Sequence, residues 1–292
     1  MKQIDTFISF TDVRYTYPPY KNESDSNKAT INKPIFDHFS ATIPGKFTIL
    51  IGPNGSGKST FMLLAAGRLA AEKGTIKLFN KDLAIMSELQ RNLTASFVYQ
   101  NMEFENNNKV GSLLEQVFEN GGWTLKGGAS DTSAQKPTSD FLKECIKEFE
   151  LEKILSRSLD KLSKGEIQRT LLAFSLLYGS KSVFLDEPLF ALENYQKEKA
   201  LSFLHNYSTT YTIPLFISMQ EIDLTRKHAE NVLLFMPNRT ISLGSAQEVL
   251  TKEDLEKAYG IPFSMLKESE DANRKNLLEE AAVIANFNKQ TQ

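Results

Sequence analysis

Phe47-Thr48-Ile49-Leu50-Ile51 runs directly into Gly52-Pro53-Asn54-Gly55-Ser56-Gly57-Lys58-Ser59-Thr60, and Phe61 to Leu69 continues with helical spacing. The first segment is a short, nearly continuous apolar run, the pattern of a strand buried on both faces. The second matches G-x-x-x-x-G-K-[ST]. Its glycines let successive backbone N–H groups turn toward phosphate oxygens without side-chain obstruction. The helix that follows adds the positive end of its dipole. Lys58 has the reach for β- and γ-phosphates, Ser59 suits a Mg²⁺ ion, and Thr60 suits the α-phosphate. Strand, glycine loop and helix together form the context that such a loop requires.

Further strand-like runs cover residues 7–17, 35–43, 75–79, 95–99, 183–185, 215–217 and 232–235. Helical periodicity covers residues 110–118, 141–149 and 167–178. Residues 20–33 are polar and read as a loop. Residues 120–139, rich in Gly, Ser, Thr and Lys, read as a surface loop or partly disordered insertion. Strands alternating with helices predict an α/β fold with a mostly parallel sheet and ligands at the carboxyl ends of its strands. Two further features fall at such ends. Val183-Phe184-Leu185 closes on Asp186-Glu187, placing Asp186 to hold Mg²⁺ and Glu187 to orient or deprotonate a water. Phe97-Val98-Tyr99 closes on Gln100, which can touch both metal and water. Phosphoryl transfer needs mainly positioning and charge neutralisation, so these few groups suffice.

Composition bounds the alternatives. The chain has 292 residues, 41% of them hydrophobic, enough for a substantial core. Lys+Arg total 34 and Asp+Glu 36, a net charge of −2, which argues against nucleic acid as the main partner. The single cysteine, Cys145, excludes an internal disulfide and reads as a small buried apolar residue. No apolar run approaches the ~20 residues that a bilayer requires, and the N-terminus lacks a signal-peptide core. These features predict a soluble, cytoplasmic protein whose membrane contacts, if any, lie on other chains.

The order Gly52–Thr60, Gln100, Leu162-Ser163-Lys164-Gly165-Glu166, then Val183–Pro188 resembles the ATP-binding subunit of ABC transporters, over about residues 5 to 265. The resemblance implies a phosphate-loop NTPase of that type: a mostly parallel core, an antiparallel β part and a helical subdomain. It divides the chain into a core of about 1–100 and 180–268, a helical subdomain of about 101–179, and a charged, partly helical tail over 269–292. It implies ATP and Mg²⁺ as cofactors, with a head-to-tail dimer that sandwiches each ATP between two copies. Lys58, Gln100 and Glu187 would be catalytic. Ser59, Gln100 and Asp186 would hold the metal. Gly52, Pro53, Asn54, Gly55, Ser56, Gly57, Lys58, Ser59 and Thr60 would hold the nucleotide. Ser163, Gly165 and Glu166 would complete the partner's site, because Glu166-Ile167-Gln168-Arg169 opens a helix whose N-terminus faces an anion. The same stretch also reads as a helix cap, with Ser163 at N-cap and Glu166 three residues on. Tyr17 resembles the aromatic that stacks on adenine, and Tyr15 is the competing residue.

Departures from the family pattern sharpen the expectation. Lys164 and Glu166 replace Gly and Gln of the usual signature, and Glu193 stands where the family has Asp. The switch histidine is missing: in Leu215-Phe216-Ile217-Ser218-Met219-Gln220 its place falls on Met219, with Gln220 the nearest side chain able to hydrogen-bond phosphate. This predicts slow hydrolysis, or hydrolysis stimulated only within a complex. Gly244–Leu250 and Ala258–Phe263 are similar to the ends of iron-siderophore and vitamin B12 importer ATPases. The resulting expectation is the ATPase of such an importer, working with multi-span permease subunits on the inner face of the membrane. A regulatory or assembly ATPase that uses the same dimer as a switch is the alternative.

Overall fold

The computed structural model describes residues 6–18, 32–100, 102, 107–131 and 137–267. The elements in chain order are β1 (Thr6–Tyr15), β2 (Phe36–Pro44), β3 (Phe47–Ile51), α1 (Lys58–Ala65), β4 (Lys73–Leu78), β5 (Lys81–Asp82), α2 (Glu88–Thr94), β6 (Ala95–Val98) and α3 (Val110–Asn120). They continue with α4 (Asp140–Glu148), α5 (Lys164–Tyr178), β7 (Ser182–Asp186), α6 (Asn194–Tyr211), β8 (Leu215–Ser218), α7 (Ile222–His228), β9 (Asn231–Phe235), β10 (Ile241–Gly244), α8 (Ala246–Val249) and α9 (Lys252–Tyr259). The partly helical tail expected over 269–292 and most of the 20–33 segment lie outside the described residues.

Two sheets form. A six-stranded sheet runs β10-β9-β3-β8-β7-β6, parallel except for its β10–β9 edge. An antiparallel sheet runs β2-β1-β4-β5. The central strands alternate in what they bury, as the two-residue strand period demands. Phe47 and Ile49 of β3, Val183 and Leu185 of β7, and Leu215 and Ile217 of β8 face a core shared with α3 through α6. Leu50, Phe184 and Phe216 face the opposite core, shared with α1 and the antiparallel sheet. There the Phe184 and Phe216 rings stack at 5.0 Å, and Phe216 and Phe7 at 5.5 Å, so one aromatic column joins the two sheets. Both faces of the parallel sheet are therefore dry, which is why its strands read as unbroken apolar runs.

One expectation is corrected. The described part of the 120–139 stretch is packed rather than splayed on the surface. Trp123 is buried and donates its indole N–H to Leu176 O at 3.1 Å. The Gly122 and Ala129 amides donate to Tyr178 O and Gly179 O, clamping the stretch onto the end of α5. Gly179 caps α5 at φ 72°, and a Cβ there would lie 2.4 Å from the Trp123 ring. The glycines serve close approach here, not mobility, which composition alone does not distinguish. The long helix α6 was also missed: it has a weakly amphipathic sequence and follows a motif-rich segment.

Candidate active site

The loop between β3 and α1 is built for an anion. Gly55 and Gly57 sit at φ +77° and +103°, and Gly57 occupies the N-cap of α1 without a side-chain cap. The first N–H groups of α1 are thus left unclaimed by any cap, and Gly55 opens on free space. Gly52 has another task. Its φ of +146° and a hypothetical Cβ only 2.7 Å from Phe235 O show that the chain passes too close to β9 for any side chain. Lys58 is buried and donates to Gly52 O at 2.7 Å and Pro53 O at 3.1 Å. Burial pushes its ammonium below the usual lysine range, and the carboxylates of Glu187 and Asp186 pull it partly back. Ser56 Oγ is buried without a hydrogen-bond partner, and Ser59 is exposed. An orphaned hydroxyl, free helix-terminal amides and a buried ammonium in one loop fit a polyphosphate. Serine, carboxylate and amide oxygens at Ser59, Asp186 and Gln100 are the hard donor set that Mg²⁺ takes.

The strand ends supply the rest. Asp186 closes β7 and pairs in register with Ser218 at the end of β8. Ser218 Oγ donates to Asp186 Oδ1 and accepts the Glu187 amide at 2.8 Å. Glu187 itself is turned into the left-handed region, φ 47°, which lifts its carboxylate off the strand line. That carboxylate receives Gln100 Nε2 at 2.7 Å on one oxygen and Gln220 Nε2 at 3.1 Å on the other. Tyr17 is exposed, and its hydroxyl lies 3.1 Å from Thr60 Oγ1 at the start of α1, whereas Tyr15 is buried. Of the two tyrosines, only Tyr17 offers a face to a ligand.

One residue escaped the sequence reading. Ser218 was read only as part of an apolar strand, although a buried hydroxyl ending such a strand is a signal in itself. The place of the family's switch histidine reads as Met219, with Gln220 the nearest hydrogen-bonding side chain, and of the two it is Gln220 that reaches Glu187. Met219 continues the Leu215 and Ile217 face into the helical core, 2% exposed. Ser218 and Gln220 share the other face and reach Asp186 and Glu187. Strand alternation decides the matter.

Ser163, Gly165 and Glu166 form a separate group at the start of α5. Ser163 Oγ accepts the Glu166 amide, and the Glu166 carboxylate accepts the Ser163 amide at 2.8 Å, a complete capping box. Glu166 also pairs with Arg157 at 2.8 Å. Burial acts to raise its pKa, but the Ser163 hydrogen bonds and the Arg157 guanidinium outweigh burial and hold it below the ordinary glutamate range. Gly165 lies so close to the loop after Glu187 that an added Cβ would meet Ala191 O at 2.9 Å. Gln168 Oε1 accepts the Ala191 amide at 2.8 Å, so α5 and that loop are tied together.

A parallel sheet with a lysine-bearing glycine loop at one strand end and an acid at another defines a phosphate-loop nucleotide hydrolase. The comparisons narrow the class. The family model described as ABC transporter matches residues 37–190, more than half of the chain, and the chain belongs to that family. With membership comes the family's activity, ATP hydrolysis. A hemin import ATP-binding protein, HmuV, of Escherichia coli O157:H7 is 27% identical over 241 residues, covering 80% of this chain and 89% of the relative. Among solved structures, an inward-facing transporter of the metal-chelate type superposes with a TM-score of 0.61 at 20% identity, covering 88% of this chain and 90% of that one. A dimeric bacterial ABC transporter cassette superposes at 0.60 and 19% identity, covering 78% and 94%. At these identities the structural likeness speaks to the fold alone. No helix among the described residues is long and apolar enough to cross a membrane.

Proposed function

We propose that this chain is the ATPase subunit of an ABC importer for a metal chelate, of the iron-chelate or cobalamin kind. The observation that carries the reading is the likeness to the hemin import protein over most of both chains. The core would comprise about residues 1–100 and 180–268 and the helical subdomain about 101–179, with 269–292 as a separate tail. Two copies would associate head to tail, and multi-span permease subunits would hold the pair on the inner face of the membrane.

Within one site, the 52–60 loop and Lys58 would grip the phosphates, and Tyr17 would stack on the base. Ser59, Asp186 and Gln100 would hold Mg²⁺. When bound, the metal supplies charge neutralisation at the transferring phosphoryl group. Glu187 would receive the proton of the attacking water, with Ser218 holding both its backbone and Asp186 in place. Ser163 and the Gly165 amide would approach the partner's γ-phosphate, while Glu166, already committed to the cap and Arg157, would keep the α5 N-terminus formed.

Glu187→Gln tests the catalytic assignment. It keeps size and hydrogen bonding but removes the base. ATP binding should survive and turnover should fall at least ~100-fold, on the scale of general-base loss, with an ATP-stabilised dimer visible by size-exclusion chromatography. Affinity purification from detergent-solubilised membranes tests the transport assignment: multi-span subunits should co-purify. Recovery of the chain without them would count for the regulatory alternative.

A further inference from the structure

Tyr17 is held from three directions by the chain itself. Its ring meets Tyr15 edge-on at 5.1 Å, and its hydroxyl lies 3.1 Å from Thr60 Oγ1 at the start of α1. Its backbone is held by Asn32, whose side-chain amide donates to Tyr17 O at 3.1 Å and to Pro18 O at 3.2 Å. These partners lie 15 and 14 positions away along the chain. The local sequence explains why a side chain does this work. Pro18 pushes the residue before it into extended backbone and has no N–H of its own, so β1 cannot extend its ladder with β2 through that position. The two carbonyls take their donors from a side chain instead. A primary amide carries two N–H groups on one nitrogen, one for each of two successive carbonyls.

We propose that Asn32 is a positioning residue for nucleotide binding, its amide clasp presetting Tyr17 as the platform for the nucleotide base. The proposal rests on Tyr17 stacking on that base, as argued above. Asn32 has a fixed footing: the Ile35 amide donates to Tyr15 O at 2.7 Å, and Arg239 in the β9–β10 turn donates to Pro34 O. That footing adjoins the phosphate loop, since a Cβ on Gly57 would lie 3.3 Å from the Phe36 ring and 3.5 Å from Ile35. The clasp thus ties the aromatic platform to the loop that would grip the phosphates. On the other side the Thr16 amide donates to Glu72 Oε1 at 3.0 Å, holding the residue before Tyr17 to the one that precedes β4. An exposed tyrosine without such ties would have to be ordered as nucleotide binds, and the ordering cost would be subtracted from affinity. The Asn32 bonds go to backbone and not to Lys58 or the acids, so the effect falls on affinity rather than on the chemical step.

The test uses the purified full chain, MgATP titration and steady-state ATPase kinetics. Asn32→Leu keeps size and neutrality but donates nothing. It should weaken ATP binding roughly 3- to 10-fold, the scale of one or two net hydrogen bonds. The loss should appear in KM, with kcat at saturating ATP changing less than about twofold. Asn32→Gln, which keeps both donors on a side chain one methylene longer, should recover most of the affinity. Tyr17→Ala should weaken ATP binding at least about fivefold, the scale of a lost base–aromatic stack. In that background Asn32→Leu should cost less than about a further twofold, because two residues acting through one contact are not additive. A merely structural role for Asn32 would give the same loss in both backgrounds. Unaltered ATP affinity in Asn32→Leu, a loss confined to kcat, additive losses in the double variant, or failure of Asn32→Gln to recover overturns the proposal. If Tyr17→Ala weakens binding while Asn32→Leu does not, only the clasp fails. If Tyr17→Ala itself binds ATP normally, the stacking assignment fails first and the clasp falls with it.

Discussion

At the scale of single residues, the site depends on positions that tolerate little. Ser218 links two acids through one hydroxyl. Ser218→Ala would leave a buried Asp186 oxygen and the Glu187 amide without that partner, at about 1–3 kcal/mol of stability. A larger fractional loss is expected in ATPase rate than in ATP affinity, checked by denaturant titration beside kinetics. Gly52→Ala would drive a methyl into Phe235 O in a backbone conformation that L side chains rarely adopt. ATP binding by that variant, measured by fluorescent-nucleotide titration, should be lost or severely weakened. The phosphate loop, the Asp186-Glu187 pair and Gln100 were all legible in the chain because their spacing encodes local geometry. Ser218 was not, because what it touches comes from a strand distant in sequence; Gln220 was legible as a hydrogen-bonding side chain but not as the partner of Glu187.

Among the elements, α5 carries the most consequence. Its capping box and the Arg157 pair hold Glu166 below the ordinary glutamate range. A folded-state pKa lower than the unfolded one means that this stability is fully present above the ordinary value of about 4.3. It is lost as pH falls through the lower folded value. Glu150, which accepts Tyr195 and Gln196 of α6 and pairs with Arg169 of α5, behaves in the same sense. Burial opposes its depressed pKa, and the Gln196 and Tyr195 hydrogen bonds with the Lys199 and Arg169 charges prevail. Replacing Glu150 by Gln should therefore lower Tm at neutral pH and flatten part of its fall in acid, as read by calorimetry across pH. Ser163→Ala should cost roughly 0.5–2 kcal/mol through the lost cap. The cap itself could be read from Ser163 and Glu166, three residues apart. The tie from Gln168 to Ala191 could not, since it joins α5 to a loop that follows a different strand.

For the whole molecule, the parallel run of β3, β8 and β7 puts the glycine loop and the acids at the same end of one sheet, whose opposite faces are covered by dry cores. Trp123 closes the larger core against Tyr207 and Tyr211. Trp123→Ala should destabilise the fold by about 3–5 kcal/mol, the usual cost of emptying a buried aromatic site, and Gly179→Ala should do comparable damage by collision with the same ring. Chemical denaturation of both variants checks this. By composition, glycines and polar residues outweigh the lone Trp123 in its stretch. Packing reverses that weighting, because glycine permits the backbone contact that buries the ring.

The chain by itself determined the fold class, the phosphate loop and the acidic strand end. Each is a local pattern: a run of apolar residues long enough for one buried strand, a spacing that turns amides inward, a carboxylate just past the last dry residue. Only the tertiary structure decided which residue faces Glu187. The linear order offered Met219 and Gln220 as neighbours one position apart. In a strand, one position is the difference between the hydrophobic core and the reacting edge, and the partners that set this register, Asp186 and Leu50, lie far away along the chain.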